Sequence, residues 1–168
     1  MDKTITTALL IVISVIMAVM LFNIAYPAIV EGGNAITDMA DRAEDQMQTQ
    51  VNIIHAAAEL DASNNWVDTN SSSTFDLFMW VKNVGSTRIT ALERLDVFLW
   101  TDNYFQHIPY GSSSGAPYWT YTFENDDEWV PTATLRITIS FLAQLPTERY
   151  NIRLTLPNGN SEDTVLGM

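Results

Sequence analysis

The chain has 168 residues, enough for one domain of ordinary size with an appended element. Its acids outnumber its bases by 20 to 8, a net charge of -12, which argues against nucleic acid and anionic head groups as partners. The absence of cysteine removes disulfides, thiolate nucleophiles and thiolate metal sites together.

Charge is unevenly spread. Residues 4–30 contain no Asp, Glu, Lys or Arg, so a greasy segment precedes an acidic body. From Ile5 to Val30 the sequence is dominated by Ile, Val, Leu, Met, Ala and Phe. As a helix rising about 1.5 Å per residue, this run matches a bilayer core of about 30 Å. The polar exceptions Thr6, Thr7, Ser14 and Asn23 are small enough to bond a helix carbonyl or a neighbouring helix. Pro27 lacks a backbone donor and crowds the carbonyl of Asn23, so a kink or local unwinding is expected there, helped by Gly32 and Gly33. The run exceeds the apolar region of a signal peptide, and no small-residue cleavage pattern clearly follows it. Lys3 before the run and the acids from Glu31 to Asp45 after it place Met1 on the cytoplasmic side and the body outside.

Beyond the glycines, Ile36, Met39, Ala40, Ala43, Met47, Val51, Ile54, Ala57 and Ala58 recur at helical spacing, opposite a mostly charged face. The spacing predicts an amphipathic continuation over residues 34–60, and hence one helix from about residue 4 to about residue 60, interrupted at most near Pro27–Gly33. Its length would be about 80 Å, too long for a small globule.

Residues 61–74 are rich in Asn, Ser and Thr and read as a linker loop. Over residues 75–168 the period becomes two. Phe75–Lys82, Arg94–Trp100, Tyr118–Phe123, Thr134–Leu142 and Tyr150–Leu156 are rich in β-branched and aromatic residues. Turn sequences separate them: Asn83-Val84-Gly85-Ser86, Gly111 to Gly115, Asn125-Asp126-Asp127 and Pro157-Asn158-Gly159. The expected fold class is α+β, a long hydrophobic helix followed by an antiparallel, immunoglobulin-like β-sandwich.

Such a helix must be covered. Full burial of each large apolar side chain is worth about 1.5–3 kcal/mol, so a whole stripe left in water would exceed the roughly 5–15 kcal/mol stability of a domain. Lipid and a bundle of identical helices are the two shelters, and they are similar enough for a subunit to pass from one to the other. The helix-to-helix packing positions are Ile5, Leu9, Val12, Ile16, Val19, Phe22 and Tyr26, continuing through Ile36, Met39, Ala43, Met47, Val51 and Ile54.

The charged start, the hydrophobic helix Thr4–Val30, the amphipathic extension and the C-terminal sandwich together resemble archaellins and the related archaellar accessory subunits of the type IV filament superfamily. Phe78-Met79-Trp80-Val81-Lys82-Asn83-Val84-Gly85-Ser86-Thr87-Arg88-Ile89 is similar to the strand, Asn-x-Gly-Ser turn and strand of those domains. Arg94–Trp100 looks like their next strand and Asn151–Gly159 like their final strand and turn. Bacterial pilins usually carry Glu at the fifth mature residue; Ile5 here favours the archaellin side. The resemblance implies an extracellular, motility-serving filament polymerised through the N-terminal helix. Its implied partners are other copies of the chain, the membrane before assembly, a type IV-type assembly platform with its ATPase motor, and a prepilin-type peptidase where a leader is removed. A type IV adhesion pilin and a membrane-anchored accessory or stator subunit with a β-sandwich binding module are the alternatives.

No enzyme is expected, and no cofactor or metal. Gly111-Ser112-Ser113-Ser114-Gly115 fits G-x-S-x-G literally but leads into a turn and a strand instead of a helix. His55 and His107 form no cluster in the sequence, and Glu124, Asp126, Asp127 and Glu128 lack the spacing of a calcium loop. Trp66, Trp80, Trp100, Trp119 and Trp129 read as core or interface before they read as a sugar platform. Met17, Met20, Met39 and Met47 read as adaptable packing on the helix. Asn70-Ser71-Ser72 is an N-x-S sequon, which makes Asn70 a candidate glycosylation acceptor where the host has the machinery, although such triplets often occur by chance.

Overall fold

A computed structural model describes residues 2–63, 65–69, 72–111 and 115–167. The chain divides into two compact units, Met1–Ala43 and Glu44–Met168. The first unit is helical throughout its described residues and belongs to α1, Asp2–Gln48. The helix assignment runs unbroken through Pro27, Gly32 and Gly33. Thr7 Oγ1 bonds the Lys3 carbonyl at 2.8 Å and Ser14 Oγ bonds the Ile11 carbonyl at 2.8 Å, which satisfies both hydroxyls inside the helix itself.

Among its described residues the second unit holds the last turn of α1 and eight strands: β1 (Val51–Ala58), β2 (Phe75–Asn83), β3 (Asp96–Trp100), β4 (Phe105–Ile108), β5 (Tyr118–Phe123), β6 (Thr134–Phe141), β7 (Arg149–Thr155) and β8 (Ser161–Gly167). They form two antiparallel sheets, ordered β1-β2-β6-β5 and β4-β3-β7-β8. This is the immunoglobulin-like pairing, with one extra strand beside the central hairpin partner of the second sheet. Alternation delivers the core: Leu77, Met79 and Val81 from β2 and Leu135, Ile137 and Ile139 from β6 face Val97, Leu99, Ile152 and Leu154 from the second sheet, all fully buried. Tyr150, at the start of β7, is buried and donates its hydroxyl to the Pro146 carbonyl at 3.0 Å, the corner bond characteristic of this fold.

The helix expected through residue 60 ends at Gln48, and residues 51–58 are an edge strand. Val51 and Ile54 therefore have different roles from those their spacing suggested. Val51 joins the sandwich core, while Ile54 lies exposed at a bulge between Ile53 and His55. One extra residue at the bulge shifts the alternation, so the core-side positions are Val51, Ile53, Ala56 and Ala58 and the stretch lacks the unbroken period of two that marks a strand. The sandwich unit accordingly begins at Glu44 and not at residue 75. Within the stretch expected to be a loop, the side chain of Asp61 accepts the amides of Ser63 and Asn65, and that of Asp68 accepts those of Ser72 and Ser73.

Candidate functional site

No partner is needed to see what α1 lacks. Ile5, Leu9, Val12, Ile16, Val19, Phe22 and Tyr26 are all exposed, as are the residues between them, so residues 5–30 present a predominantly apolar surface around the whole circumference. Ile16 is 51 % exposed and Phe22 65 %, values ordinary for a charged side chain and foreign to an apolar one in water. Phe22 and Tyr26, one turn apart, stack with ring centroids 5.5 Å apart. Past Val30 the helix becomes one-sided: Ile36, Met39 and Met47 remain exposed, with Ala43 on the same face. By length and composition α1 can cross a bilayer.

The last turn of α1 is seated on the sandwich by two of the turn sequences. The Gln48 carbonyl accepts the amides of Ser86 at 2.8 Å and Thr87 at 3.2 Å, and the Thr87 hydroxyl at 3.2 Å. Val84 and Gly85 donate their amides to the Gln50 carbonyl at 3.0 and 2.9 Å. From the other turn, Asn160 Nδ2 reaches the Gln46 carbonyl at 2.5 Å, Gln46 Nε2 reaches the Asn158 carbonyl at 3.2 Å, and Asn158 bonds the Thr49 hydroxyl. Carbonyls that end a helix have no partners within it, and here distant loops supply the donors. The helix stops without a local Gly or Pro for this reason.

The side chains that could have carried chemistry are dispersed. His55 stacks on Trp80, on the outer face of the first sheet, whereas His107 meets Asp96 at 3.0 Å on the outer face of the second. Glu124 accepts the Trp80 indole N–H at 3.0 Å and lies 3.5 Å from Arg136; Glu128 pairs with Arg88 at 2.8 Å. Among the described residues no group of three or more His, Asp or Glu is arranged around a common cation position. Trp66, Trp119 and Trp129 are buried, while Trp80 and Trp100 lie on opposite sheets, so no shared platform exists. The depression beside Trp100 is about 270 Å³, and the Arg153 guanidinium already sits over that ring, 5.5 Å from its centroid. The Arg153 guanidinium donates two bonds to the Asp163 carboxylate, at 2.6 and 2.7 Å, which hold it in place and raise its affinity for the proton. The same bonds hold the Asp163 carboxyl below the usual range. Asn70 and Ser112 to Ser114 lie outside the described residues.

A family model described as archaeal-type flagellin matches residues 2–165. An uncharacterized protein of Archaeoglobus fulgidus is 26 % identical over 164 residues, which covers 94 % of this chain and 93 % of the relative. Among solved structures, the archaellum periplasmic stator protein FlaG from Sulfolobus acidocaldarius is 26 % identical with a TM-score of 0.53. That likeness covers 70 % of this chain and 99 % of FlaG. The archaellum periplasmic stator protein complex FlaF and FlaG, from the same organism, contains a chain that is 26 % identical with a TM-score of 0.52, over 71 % of this chain and 90 % of that one.

Proposed function

Since the chain belongs to the archaeal-type flagellin family, we propose that it is a structural subunit of an archaellum, held at the cell envelope and joined to other subunits through α1. The observation that carries this reading is the apolar circumference of α1 from Ile5 to Val30, which neither the sandwich composition nor solvent can account for. Ile5, Leu9, Val12, Ile16, Val19, Phe22 and Tyr26 pack first against lipid and then against helices of neighbouring subunits. Ile36, Met39, Ala43 and Met47 continue that packing outside the bilayer. The acidic sandwich forms the wetted part, and the Gln48 seat couples it to the helix.

Within the archaellum, a stator-like place is favoured by the likeness to FlaG over nearly the whole of that chain. The second reading, a subunit of the rotating filament itself, is favoured by the flagellin family model matching from residue 2 to residue 165. The assembly platform, its ATPase and a prepilin-type peptidase are shared partners in both readings.

Two measurements test this. Shearing cells and quantifying the protein in shed filaments against envelopes separates the readings, since a stator stays with the envelope and a filament subunit is shed. Ile16→Glu is expected to abolish association while the sandwich keeps its wild-type unfolding transition. Undiminished association of that variant would remove α1 from the role given to it.

A further inference from the structure

A strand at the margin of a sheet carries main-chain groups that its one neighbour cannot satisfy. Among the described residues, β1 and β8 lie against each other on one flank of the sandwich, and β4 is only four residues long. β5 is the exception. Its Trp119 donates its amide to the Pro109 carbonyl at 2.9 Å and accepts the Gly111 amide at 2.9 Å, so the main-chain groups of Trp119 point away from β6. Such groups alternate along an antiparallel ladder, and the register of β5 on β6 runs without a shift from Tyr118 to Phe123. Tyr121 and Phe123 therefore turn their N–H and C=O the same way as Trp119, and among the described residues no group bonds them there. The Glu124 amide, which goes to the Thr134 carbonyl of β6 at 3.1 Å, fits the same alternation.

This edge has none of the usual protection. Tyr118-Trp119-Thr120-Tyr121-Thr122-Phe123 carries no charge, Pro or Gly and consists of aromatic and β-branched residues, the composition that pairs most readily with another strand. Tyr121 and Phe123 are only partly buried and line a depression of about 650 Å³, so the space beside them is open.

We infer that β5 pairs with β5 of a second copy of this chain, antiparallel, about a two-fold axis at Thr122. The edge is complementary to itself. Two residues with outward main-chain groups, one residue apart, meet their own copies as Tyr121 opposite Phe123 and Phe123 opposite Tyr121, and both are hydrogen-bonded pairs that exchange two bonds each. Centring on Tyr121 would set Phe123 against a Trp119 whose groups are already taken by Pro109 and Gly111, and centring on Phe123 would set Tyr121 against Asn125, beyond the strand. The favoured register also opposes aromatic rings on one face, and on the other Thr122 to Thr122 and Thr120 to Glu124, with no like charges directly opposite. Such a contact is isologous and closes after two copies, joining two four-stranded sheets into one of eight. It goes beyond the role given to α1, since it needs only the sandwich.

The absence of cysteine makes the test direct. In this register the two Thr122 residues form a non-hydrogen-bonded pair with Cα atoms about 4.5 Å apart, at the short end of what a disulfide spans. The two Thr120 residues are offset by four positions, roughly 13 Å, too far to bridge. Full-length Thr122→Cys is therefore expected to give disulfide dimers on oxidation, and full-length Thr120→Cys to give none above background. Equal yields from the two variants, or no dimer from Thr122→Cys, overturn the pairing. Wild-type protein supplies an independent reading through amide exchange. The Tyr121 and Phe123 amides should exchange slowly in concentrated protein and fast on dilution, while the Trp119 amide, bonded to Pro109, is protected at both concentrations. Fast exchange of Tyr121 and Phe123 at every concentration likewise overturns it. Cross-linking of Thr122→Cys is expected to persist in the Ile16→Glu background, where packing through α1 is lost; its disappearance there would show that the strands have no affinity of their own and would refute the pairing, whatever the fate of the role given to α1.

Discussion

A Cβ placed on Gly85 would stand 2.1 Å from the Gln48 carbonyl oxygen and 2.7 Å from the Gln50 amide nitrogen. Backbone meets backbone here, so no side-chain rotation can make room. The close approach lets Ser86 and Thr87 cap the helix, and it requires glycine for want of space, with no demand for an unusual backbone angle. Gly85→Ala is therefore expected to push the turn off the helix end and to destabilise the sandwich unit by about 1–3 kcal/mol, the usual range for overpacking. Amide exchange is the sensitive measurement, because Ser86, Thr87 and Gly85 should lose protection before the core strands do.

Asn83 shapes the same turn from beneath. It is fully buried, and its Nδ2 donates to the carbonyls of Thr87 at 2.9 Å and Trp129 at 3.0 Å while its Oδ1 accepts the Gly85 amide at 3.0 Å. Asn83→Ala takes this partner from the part-buried Thr87 carbonyl, while the Gly85 amide keeps the Gln50 carbonyl and the Trp129 carbonyl keeps the Ile89 amide. An unsatisfied buried group costs about 1–3 kcal/mol, so we expect a loss near the lower end of that range, read from denaturant midpoints at unchanged slope. Asn83→Asp keeps the acceptor but removes both donors, and should be no better.

Four strands were legible from their composition and alternation: β2, β5, β6 and β7 lie within a residue or so of where that patterning puts them. β8 was not legible. In Ser161–Gly167 only Leu166 is an apolar residue in the core, and an edge strand of this kind carries almost no hydrophobic signal. β4 was hidden by brevity and by Phe105, which is apolar yet points outward at 70 % exposure. The helix end at Gln48 could not be read locally at all, since its stop signal consists of donors 34 or more residues away in sequence, such as Val84 on Gln50 and Thr87 on Gln48, the latter 39 residues apart. Of the candidate site, the apolar helix was plain from composition. The two turn sequences were visible as turns, but their work in capping α1 depends on contacts that sequence patterning does not reveal.

Acid should weaken the second sheet through Asp163. Its carboxyl is held below the ordinary aspartate range chiefly by hydrogen bonds from Arg153, so the folded state binds that proton less readily than the unfolded chain. The resulting stabilisation is fully present above the unfolded pKa of about 3.9 and disappears as pH falls through the lower folded value. Comparing wild type with Asp163→Asn by thermal unfolding should show wild type the more stable at pH 7 and the two converging as pH drops below about 3. A gap that stays constant across that range would mean the pair acts through shape and not through charge.

Val51 and Ile54 separate the strand from the helix that spacing alone suggests. On a helix running to residue 60 both would lie on the assembly stripe, and truncating either would impair association without disturbing the sandwich. On β1, Val51 is 9 % exposed and packs in the core, whereas Ile54 is 55 % exposed at the bulge. Val51→Ala should thus destabilise the sandwich by about 2 kcal/mol, close to the low end for large-to-small core changes. Ile54→Ala should change stability by no more than about 0.5 kcal/mol, as substitutions at exposed sites do. Chemical unfolding of both variants in the same buffer checks this; equal, small effects at the two positions would argue for the helix. The outcome also bears on α1, because a strand at residues 51–58 limits any helix packing to residues no later than Gln48.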